Sequence, residues 1–169
     1  MGIFTPDVNT LRELYVEQLR KALNMERQIV EKGLPTMIEN STNPELANAF
    51  RTHLDESRQH VARLEQILGE TEGDVSDSTC KVMSALISEG GSSAKDAGDP
   101  TLRDVVLIAA GNQVEHHEIA VYGTLATWAE ILGEEGHAEL LELTLDEEKN
   151  ADDLLTSLAV QINVEAPAL

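Results

Sequence analysis

Apolar side chains recur every three or four residues along most of the chain, and this spacing predicts helices rather than strands. The pattern breaks at glycine, proline and small polar residues, which mark the ends of the segments; among them are Gly33 with Pro35, Gly69, and Gly90 to Ser93. Two breaks, at Asn43-Pro44 and Asp99-Pro100, combine an N-cap residue with a proline at the first helical position. The sequence therefore predicts four long helices and one minor helix, over about residues 8–32, 44–68, 79–90 (minor), 100–132 and 136–162.

The lengths of the breaks predict how these helices pack. Short turns near Thr42 and Glu134 join the first long helix to the second and the third to the fourth, which is typical of antiparallel hairpins. The longer stretch that contains the minor helix connects the two hairpins as a crossover. We therefore expect an all-α fold in a single domain over residues 1–169, an antiparallel four-helix bundle with an additional short helix in the crossover.

Charge and cysteine content exclude several classes of protein. The chain carries 31 acidic against 12 basic residues, a formal charge of −19, so it would repel nucleic acid. Its single cysteine, Cys80, excludes an internal disulfide, a zinc ribbon and an iron–sulfur cluster. It has no apolar run long enough to span a membrane and no secretory leader pattern. We expect a cytoplasmic protein without membrane contact, and the acidity raises the hypothesis of a halophilic source.

Acidic residues occur on the apolar stripe of the long helices, where a bundle normally keeps charges outside. Glu26 is flanked by Ala22, Leu23, Ile29 and Val30, three and four positions away. Each acid alone fits a boundary charge whose stem reaches water. Together they imply a cation from elsewhere, because few lysines or arginines share these faces. The candidate metal ligands are Glu26, Glu56, His60, Glu115, Glu118, Glu148 and Asp152, with His53 as a hydrogen-bond partner for a ligand carboxylate.

The two hairpins repeat this arrangement. A shift of 92 positions places Glu26 on Glu118, Glu56 on Glu148 and His60 on Asp152. Within each hairpin the acids lie at similar distances from the turn, so at about 1.5 Å per residue they meet at one depth. Facing carboxylates at the middle of a bundle are the arrangement of di-iron and di-manganese carboxylate proteins. The sequence therefore predicts a site for two divalent metal ions.

Four segments carry a resemblance to a known family: Asn24 to Gln28, His53 to Ser57, Val114 to Gly123, and Asp146 to Asp152. On these segments the chain resembles the ferritin-like superfamily and, within it, the YciE/YciF-like (DUF892) family of stress proteins, over nearly its whole length. The resemblance implies a ferritin-like four-helix bundle with a crossover helix, a homodimer, and a rubrerythrin-like site for two metal ions, with iron favoured over manganese. It implies no settled biochemical activity.

The chain departs from the usual ferritin-like pattern at two ligand positions. Glu-x-x-His is usual on the second and fourth helices, whereas His60 and Asp152 lie four residues after Glu56 and Glu148. Gln59, at the usual offset, therefore competes with His60 as a ligand. Asp152 in place of histidine makes the site richer in carboxylates, which leaves manganese as an alternative to iron.

The sequence leaves two classes of function open. The first is a di-metal protein that reacts with peroxide or dioxygen, or handles iron. Peroxide reduction of the rubrerythrin type would need electrons from a separate donor, and Tyr122, one turn beyond Glu118, is then a candidate catalytic residue, although a role in helix packing is the more common one for such a tyrosine. The second is a non-catalytic, dimeric helical stress or interaction protein whose metal site is structural or vestigial.

Overall fold

The computed structural model describes residues 8–167 and is helical over most of them, with no strand among these residues. The helices are α1 (Leu11–Gln28), α2 (Leu34–Asn40), α3 (Pro44–Glu72), α4 (Lys81–Asp96), α5 (Pro100–Ile131) and α6 (Glu135–Glu165), with a π-helical turn (Ile29–Gly33) between α1 and α2. The predicted all-helical class is confirmed. Within the described residues, no helix combines the length and hydropathy needed to cross a membrane.

Contacts between helix ends fix the directions of the long helices. Arg12 Nη2 at the start of α1 lies 2.6 Å from Glu134 Oε1 in the turn between α5 and α6. At the opposite end, the Thr42 N–H donates to Asp104 Oδ1 near the start of α5, at 2.8 Å. Helices α1 and α5 are therefore antiparallel. Because α1 and α6 each pack against both α3 and α5, the four long helices enclose a common core, and α4 packs on the outside of α5.

The first helix differs from its predicted bounds at both ends. It begins at Leu11 instead of residue 8, because Thr10 and Glu13 form a capping box. Gly33 and Pro35 do not end the helical path, which continues to Asn40. The π turn makes this continuation feasible, since the Leu34 N–H donates to the Ile29 carbonyl five residues back and Pro35 falls in the first turn of α2, where its missing N–H is tolerated.

Two other glycines predicted as helix ends lie inside helices. Gly69 lies within α3, which continues to Glu72. Gly73 follows it with a φ of 68°, which suits a glycine in the left-handed region. Helix α4 continues through Gly90 and Gly91 to Asp96, beyond its predicted end at residue 90. A Cβ added to Gly90 would lie 2.8 Å from Ala110 Cβ. Gly90 therefore permits the close approach of α4 to α5 and does not end the helix.

The two adjacent glycines of α4 are expected to respond oppositely to alanine. Gly90→Ala should lower the free energy of unfolding by about 1–3 kcal/mol, because the new methyl group forces α4 away from Ala110. Gly91→Ala is the matched control, since a Cβ there would meet none of the described atoms within 4 Å. It should raise the free energy of unfolding by about 0.5–1 kcal/mol through helix propensity. Urea denaturation measures both, and equal effects would contradict the packing role of Gly90.

Candidate metal centre

Acidic and imidazole side chains are buried at the middle of the four long helices. Helix α1 contributes one of them, α3 two, α5 two and α6 one, and each is at most 4% exposed. Their positions follow from the helical spacing, which places them on the same faces as core residues such as Leu23 and Leu155. We call these residues the central cluster: Glu26, His53, His60, Glu115, Glu118 and Glu148.

One group of ligand atoms in the central cluster joins α3, α5 and α6. His53, Glu115, Glu118 and Glu148 each offer an atom, and these atoms lie within 4.8 Å of one another. His53 Nε2 is 3.3 Å from Glu115 Oε2 and 3.5 Å from Glu148 Oε2. Three carboxylates and one imidazole therefore converge on a single small volume.

A second group joins α1, α3 and α6. Glu26, His60 and Glu148 offer atoms that also lie within 4.8 Å of one another. His60 Nδ1 is 2.9 Å from Glu148 Oε1 and 3.4 Å from Glu26 Oε1. Glu148 belongs to both groups, with Oε1 on the side of His60 and Oε2 on the side of His53. The two groups are therefore adjacent and share one carboxylate.

Unpaired polar atoms test whether the central cluster suits a metal ion. Among the described residues, no hydrogen-bond partner exists for either carboxylate oxygen of Glu118, for Oε2 of Glu26, Glu115 and Glu148, or for either ring nitrogen of His53. Each buried polar atom without a partner lowers the free energy of unfolding by about 1–3 kcal/mol. A divalent cation would satisfy them, and carboxylate plus imidazole donors suit iron, manganese and zinc. The residues fit a metal site.

In the metal-free protein, burial and neighbouring charges shift the pKa values of the central cluster. Burial raises the pKa of Glu115 and Glu118 well above the ordinary carboxyl value, and raises that of Glu148 to about 7. Burial opposes the charged form of His60, but the neighbouring Glu148 and Glu26 outweigh it and raise its pKa to about 11. The metal-free cluster therefore retains protons, which a bound cation would displace.

Residues outside the central cluster orient its side chains. His60 Nε2 lies 2.9 Å from Glu147 Oε2, which leaves Nδ1 directed at the central cluster. Arg63 Nη2 donates to Glu147 Oε1 at 3.0 Å, and Nη1 donates to Thr144 Oγ1 at 3.0 Å and to Glu147 Oε2. On the other side, the buried Tyr122 hydroxyl donates to Glu26 Oε1. Such outer partners fix the orientation of metal-binding side chains.

Two of the sequence-predicted ligands lie outside these groups. The Glu56 side chain is 41% exposed, and its Oε2 is 3.5 Å from His53 Nδ1. Asp152 Oδ1 accepts a hydrogen bond from Asn112 Nδ2 at 2.7 Å. The repeat between the hairpins therefore holds for Glu26 and Glu118, which are both buried. Glu56 and Asp152 do not share the burial of their counterparts Glu148 and His60.

The structure also separates residues of α3 that the sequence left ambiguous. His60 is buried in the central cluster, whereas Gln59 is exposed. His53 was expected only to support a ligand, yet its Nε2 faces Glu115 and Glu148 directly. The signal for it was present, because His53, Ser57 and His60 follow one another at intervals of four and three along the apolar stripe.

Fold and site together define an all-helical protein with a buried carboxylate and histidine cluster at the centre of its long helices. The chain belongs to the family described as Domain of unknown function (DUF892), whose model matches residues 10–167. It is 36% identical to Protein YciF of Escherichia coli (strain K12) over 155 residues. This alignment covers 91% of this chain and 93% of that protein. The predicted membership of the YciE/YciF-like (DUF892) family is therefore confirmed.

Solved structures of related proteins have the same fold. The E. coli stress protein YciF is 34% identical, with a TM-score of 0.89 over 94% of this chain and 100% of that chain. YcfI from Rhodopseudomonas palustris is 36% identical, with a TM-score of 0.87 over 91% of this chain and 98% of that chain. The chain thus matches both relatives along almost their full lengths.

Proposed function

We propose that this chain is a ferritin-like stress protein that holds two divalent metal ions in the central cluster, with iron favoured over manganese. The observation that carries the proposal is the pair of adjacent ligand groups that share Glu148. Four buried carboxyl groups and two imidazoles lie in these groups. A bound cation would compensate the buried oxygens that have no hydrogen-bond partner. The antiparallel packing of α1 against α5 and the long connection from α3 to α5 through α4 support the ferritin-like architecture.

The central cluster divides naturally between two ions. His53, Glu115 and Glu118 would hold one ion, Glu26 and His60 the other, and Glu148 would contact both. Bound iron or manganese would supply one-electron redox chemistry toward peroxide or dioxygen, with electrons from a separate donor. The protein would orient His60 through Glu147, hold Glu26 through the Tyr122 hydroxyl, and surround most of the central cluster with the apolar core.

Metal analysis tests this proposal. The protein is purified without added metal, desalted in concentrated salt to strip ions from its acidic surface, and analysed before and after anaerobic incubation with Fe(II). We expect about two tightly bound ions per chain, as in di-iron carboxylate bundles. Protein that stays free of metal after incubation would favour instead a non-catalytic helical stress protein with a vestigial site.

The homodimer implied by the family resemblance is part of the same proposal. Light scattering of the purified protein measures the mass in solution, for which we expect twice the 18.4 kDa of the chain. A monomer would remove the dimer from the proposal without affecting the metal site, because the central cluster lies within one chain.

The two tyrosines offer a matched test of the contact with Glu26. Tyr122→Phe should lower the free energy of unfolding of the metal-free protein by about 1–2 kcal/mol, because buried Glu26 Oε1 loses its donor. Tyr15 is also fully buried, but its hydroxyl has no partner among the described residues. Tyr15→Phe should therefore be neutral or stabilising in the same urea titrations. If both substitutions lowered the free energy of unfolding equally, the hydrogen bond from Tyr122 to Glu26 would make no specific contribution to stability.

A further inference from the structure

A cavity of about 110 Å³ lies between α3 and α6 and opens to solvent. This is the space open to the centre of a water molecule, of which one water needs about 10–15 Å³, so the cavity has room for several waters. The exposed residues Thr52, Asn150 and Leu154 form its mouth. The apolar side chains of Phe50 and Leu155 form its walls, and His53 and Glu115 of the central cluster lie at its inner end.

The inner end of the cavity presents unpaired ligand atoms. His53 is 4% exposed and Glu115 2%, and the ring nitrogens of His53 and Oε2 of Glu115 have no hydrogen-bond partner in the described part of the chain. His53 Nδ1 lies 3.5 Å from Oε2 of the half-exposed Glu56, which also lines the cavity. His53 Nε2 lies 3.3 Å from Glu115 Oε2. The His53 ring therefore lies between two carboxyl groups, that of Glu56 on the solvent side and that of Glu115 inside the central cluster.

We propose that this cavity is the route by which a divalent cation enters the central cluster, an inference that rests on the proposed function. None of the described residues that line it is a lysine or an arginine, and the half-exposed Glu56 places a carboxylate on its solvent side. A carboxylate in such a recess attracts cations and speeds their association. A smaller cavity of about 30 Å³ also reaches Glu115 beside the π turn, but its walls are mostly apolar.

A positive charge at the mouth tests the route. Leu154 is 46% exposed, so Leu154→Lys adds an ammonium group without disturbing the core. Co(II) uptake by the metal-free protein is followed in a stopped-flow instrument by its visible absorption. We expect association about three- to tenfold slower than for the parent at low salt, with the amount of Co(II) bound at saturation unchanged. Asn150→Lys, also at the mouth, should behave in the same way.

Leu143→Lys provides the matched control. Leu143 lies on the same helix, is 48% exposed and does not line the cavity. It precedes Leu154 by 11 residues, which is about 16 Å along the helix. The control makes the same change in net charge and should leave the rate nearly unchanged. High salt should abolish the slowing at the mouth, because the Debye length falls to about 3 Å at 1 M.

Two results separate failure of the route from failure of the metal site. Equal association rates for the parent, both mouth variants and Leu143→Lys at low salt would overturn the entry route while leaving the metal site intact. A parent protein that takes up no Co(II) at any concentration would overturn the metal site itself, and the route with it.

Discussion

Glu148→Gln is expected to remove at least one bound metal ion per chain and to abolish stabilisation by metal. Glu148 is the carboxylate that both ligand groups share, so its loss weakens both. At a metal concentration about 100-fold above Kd, binding to the folded state raises the free energy of unfolding by about 2.7 kcal/mol. Metal analysis and thermal unfolding with and without Fe(II) measure the two effects on parent and variant.

The same substitution should not destabilise the metal-free protein. Burial raises the pKa of Glu148 to about 7, above its value in the unfolded chain, so the folded state binds this proton more tightly. Deprotonation of Glu148 therefore lowers the free energy of unfolding of the parent as pH rises from about 4.5 through 7. The Glu148→Gln variant does not undergo this loss. Near pH 8 its free energy of unfolding should equal or exceed that of the parent, and the difference should decrease towards about pH 5.

Glu142→Gln controls for the loss of an acid on α6. Glu142 is exposed on the same helix, and its removal changes the formal charge equally. It should alter neither the metal content nor the shift in unfolding temperature that metal produces. The interpretation of Glu148 would be wrong if the two variants bound metal equally well, or if the metal-free Glu148→Gln protein unfolded much more easily than the parent.

The sequence predicted the buried acids because they break a helical pattern. Glu26 lies among apolar residues three and four positions away, and Glu148 shares a helix face with Leu141, Leu145 and Leu155. Helical geometry alone places both side chains in the core. The position of Asp152 could not be predicted in this way. Its face of α6 and the pairing of α5 with α6 were both predicted, but the contact of its carboxylate with Asn112 on α5 was not. That contact depends on how the two helices are rotated about their axes, which helical spacing alone does not fix.

The helix ends were predicted less well than the helices, for a related reason. Gly33, Gly69 and Gly90 were interpreted as breaks because glycine disfavours helices locally. Gly90 is instead required by the close contact of α4 with α5, and the π turn carries the chain past Gly33 and Pro35. By contrast, Pro44 and Pro100 begin helices as predicted, since Asn43 and Asp99 cap them locally.

Arg63→Met is expected to weaken metal binding although Arg63 contacts no residue of the central cluster directly. Its guanidinium donates to both oxygens of Glu147, which in turn holds Nε2 of His60. Burial alone would raise the pKa of Glu147, but Arg63 and His60 lower it below the usual carboxyl value, so the carboxylate stays charged beside His60. Methionine keeps most of the apolar stem and removes this support. Without it, the His60 ring loses the contact that directs Nδ1 at Glu148.

The expected loss is about 10- to 100-fold in affinity, with the same number of ions bound at saturation, as for other partners that orient a metal-binding histidine. Competition with a chelator for Co(II) measures the affinity. Arg58→Met is the control, because Arg58 also lies on α3 but pairs with the exposed Asp55. An Arg63→Met protein that held Co(II) as tightly as the Arg58→Met protein would show that Glu147 orients His60 without Arg63. A variant that bound fewer ions would instead mean that Arg63 maintains the shape of the site itself.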